Sequence, residues 1–273
     1  MTNTSHLAGA RAFVRRLIAT LALLAVVTGA TAAELTFAVH PVLPQARTIQ
    51  VYQPLATYLS KATGQNIKLV TSPNFLTHWQ MMKRGEYDLI LDGPHFTDYR
   101  VKKMGYTVLA KLPEVVSHAL VANEEQMILE PAELVGKTIA TTAAPAVGAL
   151  QLAELYPNPL RQPRIVETPD FQEAAELAAQ GKVAAAMIPS PLVGRYPNLI
   201  TVHTTTQVPS PGISASPKVG AELQQALRRA LLDAPNNPDG RKALEALNTA
   251  ALEAADDSSF QGMARLLEGM WGY

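Results

Sequence analysis

The stretch RGEYDLILDGPHF, residues 84–96, contains a short strand, the turn that ends it and the beginning of a helix. Residues 88–91, DLIL, form a short strand in which residues 89–91 are apolar, as is typical of a buried strand. Asp92-Gly93-Pro94 interrupts this run, since Gly and Pro favour turns and Pro is well tolerated in the first turn of a helix. A helix is then predicted from about Phe96 to Lys103. The order strand, turn and helix is the unit from which α/β folds are built.

The same alternation continues on both sides of this stretch. Further strands are predicted at residues 35–40, 67–70, 106–111, 136–142, 165–166, 183–188, 199–203 and 212–216. Further helices are predicted around residues 52–59, 75–82, 147–155 and 171–180, with three more between residues 223 and 267. Strands that alternate with helices in this way predict an α/β protein with mostly parallel sheets and helices on their faces.

Two polar segments divide this series of elements. Residues 123–133 are polar and loop-like, and residues 204–211 are rich in Thr, Ser and Pro. We therefore expect two lobes, in which residues 34–120 and 206–273 form lobe one and residues 121–205 form lobe two. Two crossings between the lobes permit a hinge, and a clamshell that closes about a hinge is a common device for capturing a ligand.

The beginning of the chain has the pattern of an export signal. Three arginines precede an apolar run at residues 17–27, and Ala30-Thr31-Ala32 matches the A-x-A cleavage pattern. The apolar run is too short to span a bilayer comfortably, which disfavours a membrane anchor. We predict a cleavable signal peptide over residues 1–33, so that the mature chain begins near Ala33 or Glu34 and lies in the periplasm.

The sequence contains no cysteine. This composition excludes disulfides, thiol nucleophiles, thiolate metal ligands and a cysteine for lipid attachment. We therefore expect that the exported protein is not a lipoprotein. A chain of this length can bury a sufficient apolar core without disulfides.

Charge and motifs argue against nucleic-acid binding and against catalysis. The 23 basic and 23 acidic residues balance, and loss of the predicted signal peptide leaves 20 against 23, a net charge of −3. A mildly acidic protein is not attracted to nucleic acid. The chain has no G-x-S-x-G, H-E-x-x-H or P-loop motif. We predict a monomer that is not an enzyme and carries no cofactor, apart from the metal considered below.

Four local patterns together resemble a known family. They are AVHP at residues 38–41, the segment from YQPLATYL to TGQNI at residues 52–67, the stretch at residues 84–96, and LVGKTIA at residues 134–140. In this order they are similar to the phosphate-, phosphite- and phosphonate-type periplasmic binding proteins of ABC importers. The resemblance implies a type II periplasmic-binding fold, a small oxyanion or phosphonate-like ligand, and an ABC permease as partner.

The chain departs from this family at three places in lobe two. The family usually holds its anion at a Ser/Thr-Ser-Gly turn, but residues 141–148 read TTAAPAVG, where two hydroxyls remain and a proline removes one N–H donor. The family tends to carry a histidine near the start of the next helix, where residues 168–171 read TPDF. An acidic residue that often follows the next strand is replaced by residues 184–187, AAAM.

Position in the fold selects the candidate site. Open α/β sheets bind ligands at the carboxyl ends of their strands, beside helix N-termini. The resemblance adds Tyr52, for which a core position on a helix face is an equally open interpretation, and Asp170 is also a candidate helix N-cap. The candidate ligand-binding residues are His40, Tyr52, His78, Asp92, His95, Phe96, His118, Thr141, Thr142 and Asp170.

The histidines leave two interpretations open. If His40, His78, His95 and His118 converge, their imidazoles can donate hydrogen bonds to an oxyanion. Alternatively, they can hold zinc, copper, nickel or a metal complex, with Asp92 as an oxygen ligand. A third possibility is a ligand-sensing lobe that reports to a membrane receptor kinase, since sensing and transport use the same clamshell.

Overall fold

The elements of the protein alternate along the chain as predicted. The computed structural model describes residues 34–270, so the predicted signal peptide lies outside the described residues. The strands there are β1 (Leu35–Val39), β2 (Ile67–Val70), β3 (Leu89–Asp92), β4 (Thr107–Lys111), β5 (Val115–Val116), β6 (His118–Asn123), β7 (Thr138–Thr142), β8 (Arg164–Thr168), β9 (Ala185–Pro189), β10 (Leu199–Thr204), β11 (Val208–Pro209) and β12 (Gly212–Ala215). The α-helices are α1 (Gln45–Thr63), α2 (Phe75–Lys83), α3 (Pro94–Met104), α4 (Val147–Leu155), α5 (Phe171–Ala179), α6 (Ala221–Asp233) and α7 (Pro238–Ala246).

These strands form two five-stranded sheets within residues 34–270. The first has the order β2-β1-β3-β12-β4, and the second has the order β10-β6-β9-β7-β8. In the first sheet β1 is parallel to β2 and β3, whereas β12 is antiparallel to both of its neighbours. In the second sheet β7 is parallel to β8 and β9, whereas β6 is antiparallel to both of its neighbours. The predicted α/β class is confirmed, but the sheets are mixed instead of mostly parallel, since each has two parallel and two antiparallel strand pairs.

The first sheet is buried on both faces, because side chains alternate along each strand. Phe37 and Leu89 belong to an apolar core with α1, α6 and α7. Ala38 and Ile90, one position further along, belong to a second core with α2 and α3. This sandwich explains why residues 89–91 read as a continuous apolar run instead of an alternating one.

Two chain crossings join the sheets. The strands β5 and β11 pair there as a two-stranded antiparallel ribbon, with Val208 opposite Val116. The apolar run at residues 115–121 is therefore divided between this ribbon and β6, which already belongs to the second sheet. The predicted lobe boundaries at residues 120 and 205 stay a prediction, and β6 begins at His118.

The prediction of a third helix at the end of the chain was wrong. The chain forms two short 3₁₀ segments there, Asp257–Phe260 and Met263–Leu267. Gly262 lies between them at φ 87°, in the left-handed region that ends helices. Within residues 34–270, no helix has the length and apolarity that crossing a membrane requires.

Candidate functional site

The turn after β3 places His95 at the edge of the first sheet. Gly93 is the N-cap of α3 and Pro94 occupies its first turn, so that His95 follows directly in that turn. A Cβ at Gly93 would lie 2.7 Å from Cε1 of His95 and 3.5 Å from Cγ2 of Val147. Glycine is therefore required for this close approach of the imidazole to the turn, and Val147 at the start of α4 reaches the same place from the second sheet.

His95 is enclosed but has unused hydrogen-bonding capacity. Its ring is 1% exposed and lies 4.3 Å from the ring of Phe96, centroid to centroid. Burial lowers the pKa of His95 to about 3, although the charge of Asp92 partly opposes this, so the imidazole is neutral. Neither ring nitrogen makes a hydrogen bond of good geometry with the described residues, although the backbone carbonyl of Pro145 interacts with the ring and partly opposes the lowering of its pKa. A neutral imidazole offers one donor and one acceptor.

The second sheet contributes two buried hydroxyls that also lack hydrogen-bond partners. Strand β7 ends in Thr141 and Thr142, which are 1% and 7% exposed. The Oγ1 atoms of both residues have no hydrogen-bond partner in the described part of the chain. Buried polar atoms are nearly always paired, so orphans on the two sides of one cleft indicate a place for a polar ligand.

A helix N-terminus lies beside these hydroxyls. Helix α4 begins after Ala146, whose methyl side chain cannot cap it. The N–H groups of the first helical turn have no partner within the helix, and they carry the positive end of its dipole. Ala146 also packs in the same apolar cluster as Phe75 and Phe96 of the first sheet's helices. The start of α4 therefore contacts the side of the cleft from which His95 extends.

A cavity of about 330 Å³ opens between the two sheets at this position. We call it the cleft pocket; its lining residues are Pro41, Val42, Pro73, Asn74, Phe75, Leu76, Thr142, Ala143, Ala144, Ala146, Thr168 and Pro169. A second cavity of about 530 Å³ lies nearby, between the start of α1 and the start of α5. Its lining includes Arg47 and Arg195, so basic side chains from both sides reach the mouth of the cleft.

The carboxylate of Asp92 is already paired within the protein. Arg100 donates from Nη1 to Oδ2 at 2.5 Å and from Nη2 to Oδ1 at 2.8 Å, and Thr97 donates to Oδ1 at 3.1 Å. Ser214 on β12 accepts a further hydrogen bond from Arg100 at 2.8 Å. Burial acts to raise the pKa of Asp92, but the Arg100 guanidinium and His78 hold it well below its ordinary value. Both charges of this pair are fully buried.

Three of the four predicted histidines gather around this ion pair. His78 is fully buried, with Nε2 3.5 Å from Oδ2 of Asp92, and its ring stacks on Tyr87 at 5.3 Å. His40 meets Phe75 edge to face at 6.3 Å, and burial lowers the pKa of His40 to about 4. Both histidines are buried, and the lowered pKa of His40 keeps that imidazole neutral.

The fourth histidine is elsewhere. His118 lies on β6, where Nδ1 is 3.0 Å from Oε1 of Gln151 on α4. Thr205 donates to the same Oε1 at 3.0 Å, and its hydroxyl accepts from the backbone N–H of His118 at 2.9 Å. Burial lowers the pKa of His118 to about 4, with the Gln151 hydrogen bond opposing this. This cluster joins both chain crossings to α4, and it separates His118 from the other three.

The remaining predicted residues have structural roles in the structure. Tyr52 lies in the core under α1, where burial raises its pKa to about 12. Phe96 is fully buried among Phe75, Trp79 and His95. Asp170 caps α5 by accepting a hydrogen bond from the N–H of Glu173 at 2.9 Å. The three side chains therefore have packing or capping roles.

The metal interpretation finds no support in this arrangement. Within residues 34–270, no group of three or more His, Asp or Glu side chains is placed to hold a metal ion. His118 is separated from the other histidines, and the oxygens of Asp92 are occupied by Arg100.

Four residues that form hydrogen bonds to the candidate site residues or to Arg100 were not predicted from the sequence. They are Thr97, Arg100, Gln151 and Ser214. Arg100 and Thr97 lie three positions apart on α3, a spacing that puts them on one helix face. That spacing, directly after an aspartate at a strand end, is a signal from which a buried ion pair can be predicted. Gln151 and Ser214 carry no comparable local signal, because each meets its partner only through the fold.

Comparison with known proteins gives a consistent family and fold. Residues 37–260 match the family described as ABC transporter, phosphonate, periplasmic substrate-binding protein. The binding component of an ABC phosphonate transporter from Pseudomonas aeruginosa superposes with a TM-score of 0.71 at 16% identity over 85% of each chain. A Xanthomonas citri protein bound to ATP and a Prochlorococcus marinus protein in complex with methylphosphonate each give 0.72, over 86% of this chain and 97% of theirs, at 16% and 12% identity. No curated protein matches the sequence.

Proposed function

The chain belongs to the phosphonate family of periplasmic substrate-binding proteins of ABC transporters, and we propose that its own ligand is a phosphonate-like oxyanion bound in the cleft. Membership of this family means that the protein works in the periplasm, binds a small ligand and acts with a permease. The identity of the ligand and the residues that hold it belong to the proposal.

One observation carries the proposal: buried polar atoms without partners on opposite sides of the cleft. These atoms include both ring nitrogens of His95 from the side of the first sheet and the hydroxyls of Thr141 and Thr142 from the second. Nδ1 of His78 on α2 is a further unpaired atom on the side of the first sheet. Leaving such groups unpaired costs free energy, and a ligand that bonds to all of them removes this cost. A ligand with several oxygens, such as a phosphonate, suits a set of hydroxyl, imidazole and helix N–H donors.

The negative charge of the ligand is stabilised in the cleft by backbone dipoles and not by a cationic side chain. Asp92 neutralises Arg100, and burial keeps His40 and His95 uncharged. The first turn of α4 then supplies partial positive charge from its free N–H groups. Arg47 and Arg195 at the mouth attract an approaching anion at long range.

Further features of the proposal concern export and assembly. We propose that residues 1–33 are a cleaved signal peptide and that the mature protein is a monomer without lipid anchor, catalytic activity or affinity for nucleic acid. The apolar run at residues 17–27, the absence of cysteine and the net charge of −3 support these features. Mass spectrometry of the exported protein measures the cleavage site directly.

Calorimetry on the mature protein tests the ligand. Methylphosphonate is expected to bind, and His95→Ala is expected to weaken binding about ten- to a hundredfold, the usual value of a hydrogen bond to a charged group. The matched control is His203→Ala, on the outer strand β10 of the second sheet, which should leave affinity unchanged. Equal losses in both variants, or no binding of phosphonate, phosphate or phosphite by the wild type, would refute the proposal.

A further inference from the structure

The side chain of Gln151 on α4 contacts both chain crossings at the ends where they enter the second sheet. It is 2% exposed and makes three hydrogen bonds. Its Oε1 lies 3.0 Å from Nδ1 of His118, which follows the first crossing, and accepts from the hydroxyl of Thr205 in the second crossing at 3.0 Å. Its Nε2 donates to the backbone oxygen of Thr206 at 2.9 Å. One side chain therefore holds both crossings to α4.

The partners of this amide fix its orientation. A backbone carbonyl only accepts, so the NH₂ group of Gln151 must face Thr206 and its Oε1 must face His118. The Thr205 hydroxyl accepts from the backbone N–H of His118 and therefore gives its own proton to Oε1. Because burial keeps His118 neutral, its single ring proton lies on Nδ1. A buried network in which each of these groups has a partner favours one arrangement of its members.

Gln151 also has a fixed position relative to the first turn of α4. It follows Val147 by four positions, which places the two residues on one face of the helix. A Cβ at Gly93 would lie 3.5 Å from Cγ2 of Val147, so this face meets the turn from which His95 extends. The imidazole of His118 packs against Gly148, where a Cβ would lie 2.8 Å from its Cδ2. The turn with the free N–H groups therefore lies directly against the crossing network.

The ribbon of β5 and β11 has no comparable anchor. Val116 pairs with Val208 and Val115 with Pro209, and no hydrogen bond joins these residues to either five-stranded sheet within residues 34–270. Val115 is also 51% exposed. Segments with few hydrogen bonds and exposed surface are those that open and bend most easily. The ribbon is therefore the weakly held part of the two crossings.

We infer that Gln151 is a positioning residue for ligand capture, because it ties both crossings to α4 so that the helix and the ends of the crossings move as one body. Bending between the two sheets is then confined to the ribbon. Such bending moves the first turn of α4 relative to His95 and keeps its position relative to the crossings. The coupling is a property of the fold, and only its effect on ligand affinity rests on the proposed function.

Amide hydrogen exchange followed by NMR on the ligand-free mature protein tests the anchor. The amides of His118 and Thr205 should exchange about tenfold or more slowly than those of Val116 and Val208, since opening them breaks additional hydrogen bonds. Gln151→Leu should accelerate exchange at His118 and Thr205 about tenfold, the value of roughly one lost hydrogen bond.

The matched control is Gln126→Leu. Gln126 donates from Nε2 to the backbone oxygen of Val183 at 3.3 Å and bonds to no residue of either crossing among the described residues. This variant also removes a glutamine side chain that bonds to the backbone, but it should leave the exchange of His118 and Thr205 unchanged.

Distances between the two sheets give a readout that a merely structural role would not change. The chain contains no cysteine, so Glu222→Cys on α6 and Lys182→Cys after α5 introduce two exposed labelling sites. Double electron–electron resonance between spin labels at these sites should show a wider distance distribution in ligand-free Gln151→Leu than in the ligand-free wild type. Thr205→Val, which removes one hydroxyl of the network, is a milder second variant and should widen the distribution in the same way.

Calorimetry with methylphosphonate completes the test, and Gln151→Leu is expected to bind it about tenfold more weakly because the start of α4 is no longer held in place.

The outcomes separate this inference from the proposed function. If Gln151→Leu lowers the Tm but leaves amide exchange and distances as in Gln126→Leu, the residue is only structural and the inference fails. It fails equally if His118 and Thr205 exchange as fast as the ribbon in the wild type. If methylphosphonate does not bind the wild type, the proposed ligand fails, while exchange and ligand-free distances still decide the role of Gln151.

Discussion

Removing Arg100 tests whether the ion pair behind the cleft is a structural necessity. Asp92 and Arg100 are both fully buried, and two hydrogen bonds of 2.5 and 2.8 Å join them. In Arg100→Met the Asp92 carboxylate stays buried without a cation. Breaking a buried pair from one side costs about 3–5 kcal/mol, because an uncompensated charge remains. At about 2–4 °C per kcal/mol for a chain of this size, the Tm should fall by about 6–20 °C.

The stability lost in Arg100→Met should depend on pH, and the direction of this dependence follows from the pKa of Asp92. In the wild type Arg100 holds the pKa of Asp92 below its ordinary value, so the pair stabilises the fold above the unfolded pKa of Asp92. In the variant burial still raises that pKa and only the hydrogen bond to His78 opposes it, so the pKa of Asp92 rises, and the penalty applies where the carboxylate is ionised. A proton taken up by the Asp92 carboxylate removes the unpaired charge. The difference between variant and wild type should therefore be larger at pH 7 than at pH 5.

Urea unfolding followed by circular dichroism at both pH values measures these differences. A second variant that adds Asp92→Asn to Arg100→Met should recover part of the stability, since no charge is then buried. The control is Lys61→Met, which removes the surface ion pair with Asp239 and should change stability little at either pH. The reasoning is refuted if Arg100→Met costs no more than this control, or if its cost is the same at pH 7 and pH 5.

Two further predictions concern the imidazoles. An anion bound beside His95 should raise the pKa of that imidazole above the value of about 3 that burial imposes. Binding should therefore take up a fraction of a proton at pH 5, and affinity should increase as pH falls. Calorimetry in two buffers of different ionisation enthalpy measures this uptake, and an equal uptake in His95→Gln would contradict the assignment. A Cβ at Gly148 would lie 2.8 Å from Cδ2 of His118, so Gly148→Ala should lower the free energy of unfolding by about 1–3 kcal/mol. The control is Gly194→Ala, because no atom lies within 4 Å of a Cβ at that position. Equal stability of the two variants would show that His118 can move away without a cost in free energy.

Most of the fold was predictable because it is encoded locally. The run at residues 89–91, the Asp92-Gly93-Pro94 turn and the apolar helix faces are short-range patterns, and each corresponds to an observed element. The N-cap interpretation of Asp170 rests on the same kind of local chemistry. The exception is the third terminal helix, where apolar spacing alone does not reveal that Gly262 adopts φ 87°.

The candidate site was predictable only in part. The rule that ligands bind at strand ends selected His78, His95, Thr141 and Thr142, and these four residues have unpaired buried side-chain atoms among the described residues. The same rule selected Asp92, whose carboxylate is paired with Arg100. His118, which was a candidate as a member of the histidine set, is hydrogen-bonded to Gln151.

What the sequence by itself determined is the order of elements, the α/β class and the strand ends that carry polar side chains, because periodicity and turn chemistry act over a few residues. What only the tertiary structure decided is which of those side chains remain free. A buried charge takes the nearest opposite charge in space, and the distance from Asp92 to Arg100 or from Gln151 to Thr205 depends on how whole elements pack. The proposed ligand site therefore consists of the buried polar side chains that find no partner within the protein.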